Sequence, residues 1–163
     1  QGCKRIAHIT AGSEFGNLYN ERKRGYIDAL KQYNLPVEKE LMVDLKTVTY
    51  NEALKASNRL LDLKNRPDGV FASGDIMAVS AIQSAKRKGI RVPEDIAVIG
   101  FNNDPISEII DPNLSTITHP AAKMGQMSAE IILKSIKFPN KDEVKEITFL
   151  NTEVLVRESS KRN

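Results

Sequence analysis

Four short stretches carry side chains suited to holding a small polar molecule. They are Ala11-Gly12-Ser13-Glu14-Phe15-Gly16-Asn17, Asp44-Leu45, Ser73-Gly74-Asp75 and Phe101-Asn102-Asn103-Asp104. Each follows a short apolar run. Amides, hydroxyls and carboxylates at such points can donate to and accept from ligand hydroxyls. Strand ends and helix caps favour the same residue types for purely structural reasons, and from pattern alone the two explanations are about equally good. Asp75 shows the ambiguity best, being the one charge within Val70–Ile82. It stands directly before a helical pattern, in the N-cap place, where a carboxylate accepts from free amides and meets the positive end of the helix dipole. A scaffold role is expected for it.

Catalytic templates fit poorly. The glycines Gly12 and Gly16 lack dinucleotide-loop spacing, and no phosphate-loop Lys accompanies them. No Gly-x-Ser-x-Gly elbow exists. His8 lies inside a strand-like run and reads as a packed structural histidine. His119, before Pro120, has no visible catalytic partner. Thr10-Ala11-Gly12 supplies none of the acids that a phospho-accepting Asp75 would need. The single cysteine, Cys3, excludes an internal disulfide framework and speaks against a zinc cluster. The chain is not read as an enzyme, and no cofactor or metal is expected.

The elements that position these stretches follow from periodicity. Arg5–Thr10, Leu41–Val43, Gly69–Ala72 and Ile96–Gly100 are short, nearly continuous apolar runs, as buried strands are. Between them, Leu18–Tyr33, the stretch after Thr49 and Ile76–Lys88 repeat apolar residues at helical spacing. Thr49-Tyr50-Asn51-Glu52 has capping-box form, and Gly89 follows the basic Lys86-Arg87-Lys88 as a helix stop. Residues 5–100 thus read β-α-β-α-β-α-β, a doubly wound α/β fold with a parallel sheet. Its ligand crevice is expected beyond the carboxyl ends of the strands, where the four stretches lie. After Asp104 the rhythm changes. Pro112–Thr118 looks extended, Met124–Ile136 is a helix, Lys137–Lys145 a polar turn region, Ile147–Val156 a strand and Ser159–Asn163 a polar tail.

Composition agrees with a packed domain. Of the 163 residues 40% are hydrophobic, and the net charge of +3 is too mild to mark a nucleic-acid surface. No run of about eighteen apolar residues exists, so no membrane span is expected. No signal peptide is visible, and the low cysteine count fits a cytoplasmic protein. The sequence begins with Gln1 rather than Met, which reads as a fragment or a processed form.

Several motifs, in order over nearly the whole chain, carry a family resemblance. They are Lys4-Arg5-Ile6-Ala7-His8-Ile9, Glu21-Arg22-Lys23-Arg24-Gly25-Tyr26, Pro67–Ala78, Gly89–Phe101, Leu114-Ser115-Thr116-Ile117, Met124-Gly125 and Leu155-Val156-Arg157-Glu158-Ser159-Ser160. With these the chain resembles the effector-binding domain of the lactose-repressor (LacI/GalR) family of bacterial transcription regulators, whose fold is that of type 1 periplasmic sugar-binding proteins. The resemblance implies two α/β lobes joined by three crossings. Residues 3–115 would form the C-terminal lobe and residues 118–156 would cross back into an incomplete N-terminal lobe, with 157–163 as a tail. The helix-turn-helix DNA-binding domain would be absent. The implied function is ligand sensing: a small polar effector, a sugar or sugar derivative, controls DNA binding by the missing head. A periplasmic sugar-binding protein of a transporter or sensor system is the alternative.

Roles carry over position by position. Arg22 matches the family's effector-contacting arginine, a planar fork of donors. Asn102 stands where many members place an effector-binding Asp. Leu45 occupies a position often held by an aromatic that stacks on the ligand, and Gly74 one whose side chain often faces the cleft; both are departures from the pattern. Asn17 and Tyr19 are weaker candidates. The resemblance also implies a homodimer, with Ala78–Lys88 and Pro105–Leu114 near its interface. Ordinary amphipathicity, with Ile82 and Ala85 in the monomer core, is the alternative. Operator DNA would be reached only through the missing head.

Overall fold

The apolar run Ile6–Ala11 becomes strand β1, and its alternation decides what packs on each side. In the computed structural model, which describes residues 1–137 and 147–162, Ala7, Ile9 and Ala11 join one core while His8 turns to the opposite face. Helix α1 (Asn17–Gln32) follows, then β2 (Met42–Leu45), α2 (Tyr50–Leu61), β3 (Gly69–Ala72), α3 (Asp75–Arg87) and β4 (Ala97–Ile99). The four strands form one parallel sheet in the order β2-β1-β3-β4. The expected doubly wound α/β arrangement is therefore present.

The order fixes the layering. The chain steps from β1 to β2 through α1, then reverses direction to reach β3 and β4 through α2 and α3. Right-handed crossovers put α1 on one face and α2 with α3 on the other. Burial agrees. Ala7, Ile9, Val70, Ala72 and Val98 share a core with Leu60, Met77, Ala78 and Ile82, whereas His8 stacks on Tyr26 of α1. Ile82 and Ala85 are buried within this chain itself, as the amphipathicity alternative requires.

Local signals act as expected in places. The Thr49 hydroxyl accepts from the Glu52 N–H at 3.3 Å and starts α2. Only that half of the capping box forms, because the Glu52 carboxylate pairs with Lys55 instead. Beyond β4 a short helix, α4 (Ile106–Ile109), was not foreseen; one turn carries too little periodicity to stand out.

The last third departs further. Strand β5 (Thr116–Ile117) pairs antiparallel with β6 (Val154–Leu155), with α5 (Ala121–Lys137) between them in sequence. The strand expected over Ile147–Val156 shrinks to these two residues; Glu153 O still accepts from Thr118 N–H at 2.9 Å, but residues 147–152 lie in no strand among the described residues. The turn region expected over Lys137–Lys145 lies, after Lys137, outside the described residues. Helix α5 has no buried residue, and Ile131, Ile132, Leu133 and Ile136 stand exposed on it.

Residues 157–162 differ from the polar tail expected there, whose final residue, Asn163, lies outside the description. Ser159 is fully buried against β4. Its carbonyl accepts from Val98 N–H at 2.8 Å, its N–H donates to Asn113 O at 2.9 Å, and its hydroxyl donates to Val98 O at 2.7 Å. The Arg157 guanidinium donates to Ser107 Oγ, Leu114 O and Asn103 Oδ1 within 3.1 Å. Hydrogen bonding, which hydropathy does not report, holds this segment beside β4.

Candidate functional site

Parallel strands point the same way, so Ala11, Leu45, Ala72 and Ile99 all end on one edge of the sheet. Backbone bonds draw that edge together: Gly12 N–H donates to Leu45 O at 3.1 Å and Ser73 N–H to Ile9 O at 2.8 Å. The first turns of α1 overhang the edge, and Arg22 reaches across it.

Arg22 is held by four groups. Its Nη1 donates to Ser73 O at 2.6 Å and its Nη2 to Asn102 Oδ1 at 3.4 Å. Its Cζ lies 3.6 Å from the centre of the Phe101 ring and 5.8 Å from that of Tyr19, so the cation rests on an aromatic face. Its Nε is buried and has no hydrogen-bond acceptor. Burial lowers the pKa of the guanidinium, against the opposing fields of Tyr19 and Asp75. An arginine stays charged through such a shift. No carboxylate among the described residues pairs with it.

Asn102 is placed by backbone geometry. The chain leaves β4 with φ of +115° at Asn102 and +56° at Asn103, left-handed values that asparagine tolerates better than most residues. Asn102 N–H donates to Ile117 O at 2.9 Å, which ties this turn to β5. Asn103 faces away from the edge and accepts from Ser107 and Arg157.

Asp75 corrects the expectation of a cap. Gly74 is the N-cap of α3, and Asp75 is the first helical residue, wholly buried. Its carboxylate accepts from Asp104 N–H at 2.6 Å and from the Thr116 hydroxyl at 2.7 Å. Burial raises its pKa, while those donors oppose the shift. It clamps the β4 exit loop and β5 onto α3. Gly100 makes room for this: a Cβ there would stand 2.2 Å from Asp75 Oδ1. Asp75 is a scaffold residue, as expected, but by another device.

The remaining candidates divide. Asn17 is exposed at the start of α1. Tyr19 is half-buried beside Arg22. A Cβ on Gly74 would meet nothing within 4 Å, so that position opens onto free space. Leu45 is only 3% exposed and belongs to the hydrophobic core. It does not come to the open edge, because the sheet alternation turns it inward. His8 is structural: its ring stacks between Tyr26 and Phe71, its Nδ1 lies 3.0 Å from Phe71 O and its Nε2 3.4 Å from Ser73 Oγ. A carbonyl only accepts, so Nδ1 carries the proton. Burial lowers the pKa of His8 to about 4.

Two groups at this edge were not singled out from sequence. Phe101 supplies the ring beneath Arg22, and its only signal was an aromatic directly after Gly100. Lys23 makes a two-pronged contact with Asp44, at 2.8 and 2.7 Å, across the mouth of β2. No group of three His, Cys, Asp or Glu among the described residues is arranged to hold a metal.

The comparisons with known proteins fit this architecture. The family described as periplasmic binding protein-like domain matches residues 1–160. The chain belongs to that family. Within it the matches are to LacI-family regulators. The probable transcriptional repressor ExuR of Bacillus subtilis (strain 168) is 38% identical over 94% of this chain and 45% of its own length. The transcriptional repressor CytR of Escherichia coli (strain K12) is 36% identical over 84% of this chain and 40% of its own. A solved complex of the regulator CelR with cellobiose superposes with a TM-score of 0.86 at 30% identity, over 98% of this chain and 47% of that one. A LacI-family regulatory protein from Chloroflexus aggregans gives 0.87 at 26% identity, over 98% and 56%. The chain thus spans about half the length of the curated relatives it matches. No helix among the described residues is long and apolar enough to cross a membrane.

Proposed function

We propose that this chain is the effector-sensing part of a LacI-family transcription regulator. It binds a small polar effector at the carboxyl edge of its parallel sheet, with Arg22 as the principal anchor and Asn102 beside it. The observation that carries the reading is the state of Arg22. It is a charged fork, seated on Phe101, positioned by Ser73 and Asn102, and unpaired with any carboxylate among the described residues. A half-buried cation with no carboxylate bonded to it gains from a ligand that supplies acceptor oxygens. Gly74, Asn17 and Tyr19 border the same opening. Leu45 supports the edge from inside.

A carbohydrate or sugar derivative suits this edge, since its oxygens would take donors from Arg22 and both donors and acceptors from Asn102. One similar structure is a cellobiose complex. The exposed apolar face of α5, with Ile147 and Phe149, fits a second lobe that residues 118–156 would help complete. Effector binding between lobes would shift their relative angle and bias DNA binding by a separate head in a homodimer. The test is a thermal-shift screen of the full-length protein against neutral sugars, sugar acids and nucleosides, repeated with Arg22→Ala. A compound that stabilises the parent and not the variant supports the reading. A stabilising compound indifferent to Arg22→Ala would remove Arg22 from the site.

A further inference from the structure

We propose that Arg157 is a positioning residue for the effector site: through the side chain of Asn103 it fixes the turn that presents Phe101 and Asn102 to Arg22. The inference rests on the reading of Arg22 and Asn102 as effector anchors.

The turn needs a hold from outside itself. Asn102 and Asn103 both have positive φ, +115° and +56°, and two such residues in succession are not favoured by the chain alone. Backbone donors secure one side of the turn. Asn102 N–H donates to Ile117 O at 2.9 Å and Asn103 N–H to Thr116 Oγ1 at 3.2 Å, both on β5. The other side is held by side chains. Asn103 Oδ1 accepts from Arg157 Nη2 at 3.0 Å and from Ser107 Oγ at 3.2 Å. Arg157 Nη1 donates to that same Ser107 hydroxyl at 3.1 Å and to Leu114 O at 2.9 Å. One guanidinium thus gathers the turn, the start of α4 and the approach to β5.

The arginine is itself firmly placed. Its N–H donates to Ser115 Oγ at 2.8 Å, and its carbonyl accepts from that hydroxyl at 3.0 Å. Its side chain is 19% exposed, whereas that of Glu108, its carboxylate partner at 3.0 Å, is 69% exposed. An ion pair so open to water contributes little, so the sheltered bonds to Asn103, Ser107 and Leu114 decide where the guanidinium sits. No hydrogen bond among the described residues joins Arg157 to Arg22 or Asn102, so its role is to position. The path to the site is short. Asn103 follows Phe101 and Asn102 directly, and a turn that rotates carries both away from Arg22. The ring would leave Arg22 Cζ, now 3.6 Å from its centre, and Asn102 Oδ1 would leave Nη2, now at 3.4 Å.

The experiment follows the Arg22 side-chain N–H signal by NMR in the full-length protein grown with isotope-labelled arginine. The ring current of Phe101 moves this signal upfield, so it reports how closely the two groups approach. Arg157→Met and Asn103→Gly are each expected to shift it downfield. Glycine keeps the positive φ without strain and removes the amide acceptor. The double variant is expected to go no further than Asn103→Gly alone, because Arg157 acts through Asn103. Ile82→Val, in the buried core of α3, is expected to lower the melting temperature and leave the signal in place. An unmoved signal in Asn103→Gly, or a double variant displaced by the sum of the two, overturns the proposal. So does an equal displacement in Ile82→Val. Should Arg157→Met fail to fold, Arg157→Lys takes its place, with a smaller downfield shift expected because an ammonium cannot fork. For a compound whose stabilisation depends on Arg22, Asn103→Gly should also weaken binding by about three- to tenfold, and equal affinity overturns the role at the site. A screen without any Arg22-dependent compound would remove the effector reading, while the NMR signal still decides what Arg157 holds.

Discussion

Arg22 on α1 and Asn102 after β4 meet across 3.4 Å, although 80 positions separate them in sequence. The contact is long for a hydrogen bond, so neither group is saturated by the other. Asn102 retains its amide donors and Arg22 its bare Nε. The pair is set by two rigid elements, a helix and a left-handed turn, and is thus organised before any ligand arrives.

Removing the guanidinium should therefore weaken binding directly. In the full-length protein, Arg22→Ala is expected to lower affinity for a stabilising effector by about 10- to 100-fold, the range of a charged hydrogen bond. Arg22→Lys should recover only part of this, because an ammonium cannot both fork and stack. Isothermal titration calorimetry reads both. Near-parent affinity in Arg22→Lys would mean that charge alone matters.

Asp75 and Gly100 make a second, separate prediction about the scaffold. Asp75→Ala leaves the Asp104 N–H and the Thr116 hydroxyl without their acceptor, at a cost of about 2–4 kcal/mol, more than the loss of a cap. Gly100→Ala pushes a methyl toward the Asp75 carboxylate and should cost about 1–3 kcal/mol or more. The two effects share one space, so the double variant should lose less than the sum. Urea unfolding of all four proteins measures this cycle; strict additivity would show that the close approach carries no energy.

Most of the four-stranded sheet and its helices was readable in sequence because each apolar run has a clear period. β1, α1, β3 and α3 all fall within one or two residues of expectation. What the pattern could not convey is where distant groups arrive. Asp75 looks like a cap because its neighbours in sequence are a loop and a helix; its true donors come from 29 and 41 positions away. Leu45 looks like a site residue by alignment of position, yet β2 turns it into the core. Arg22 was legible as a candidate, but the Phe101 ring that holds it comes from the exit of β4, 79 positions further along the chain. The Ser159 segment failed for a similar reason, since a run of small polar residues gives no hint that its hydroxyls and amides complete a sheet edge.

His8 supplies a pH dependence whose sign is fixed by its burial. Its pKa is about 4 in the folded chain, against an ordinary value of 6.5. Between those limits the unfolded chain binds the extra proton and the folded chain does not. The His8 contribution to stability is thus whole above pH 6.5 and declines as pH falls toward 4, by about 3 kcal/mol in all. His8→Phe keeps the stack between Tyr26 and Phe71 and removes the titration. Denaturation midpoints followed from pH 7 to pH 4 should fall less steeply in that variant; equal slopes would assign the acid sensitivity elsewhere.

The Ser159 bonds to β4 also have a consequence for synthesis. Val98 and its partner Ser159 are 61 residues apart. At ribosomal speeds of roughly 5–20 residues per second, the outer side of β4 waits on the order of 3–12 seconds for the strand of chain that closes it. Through that interval a nascent chain presents an open, hydrogen-bond-hungry margin to whatever else is being made nearby. The order in which the polypeptide leaves the ribosome, and not only its final contacts, decides when this protein stops being adhesive.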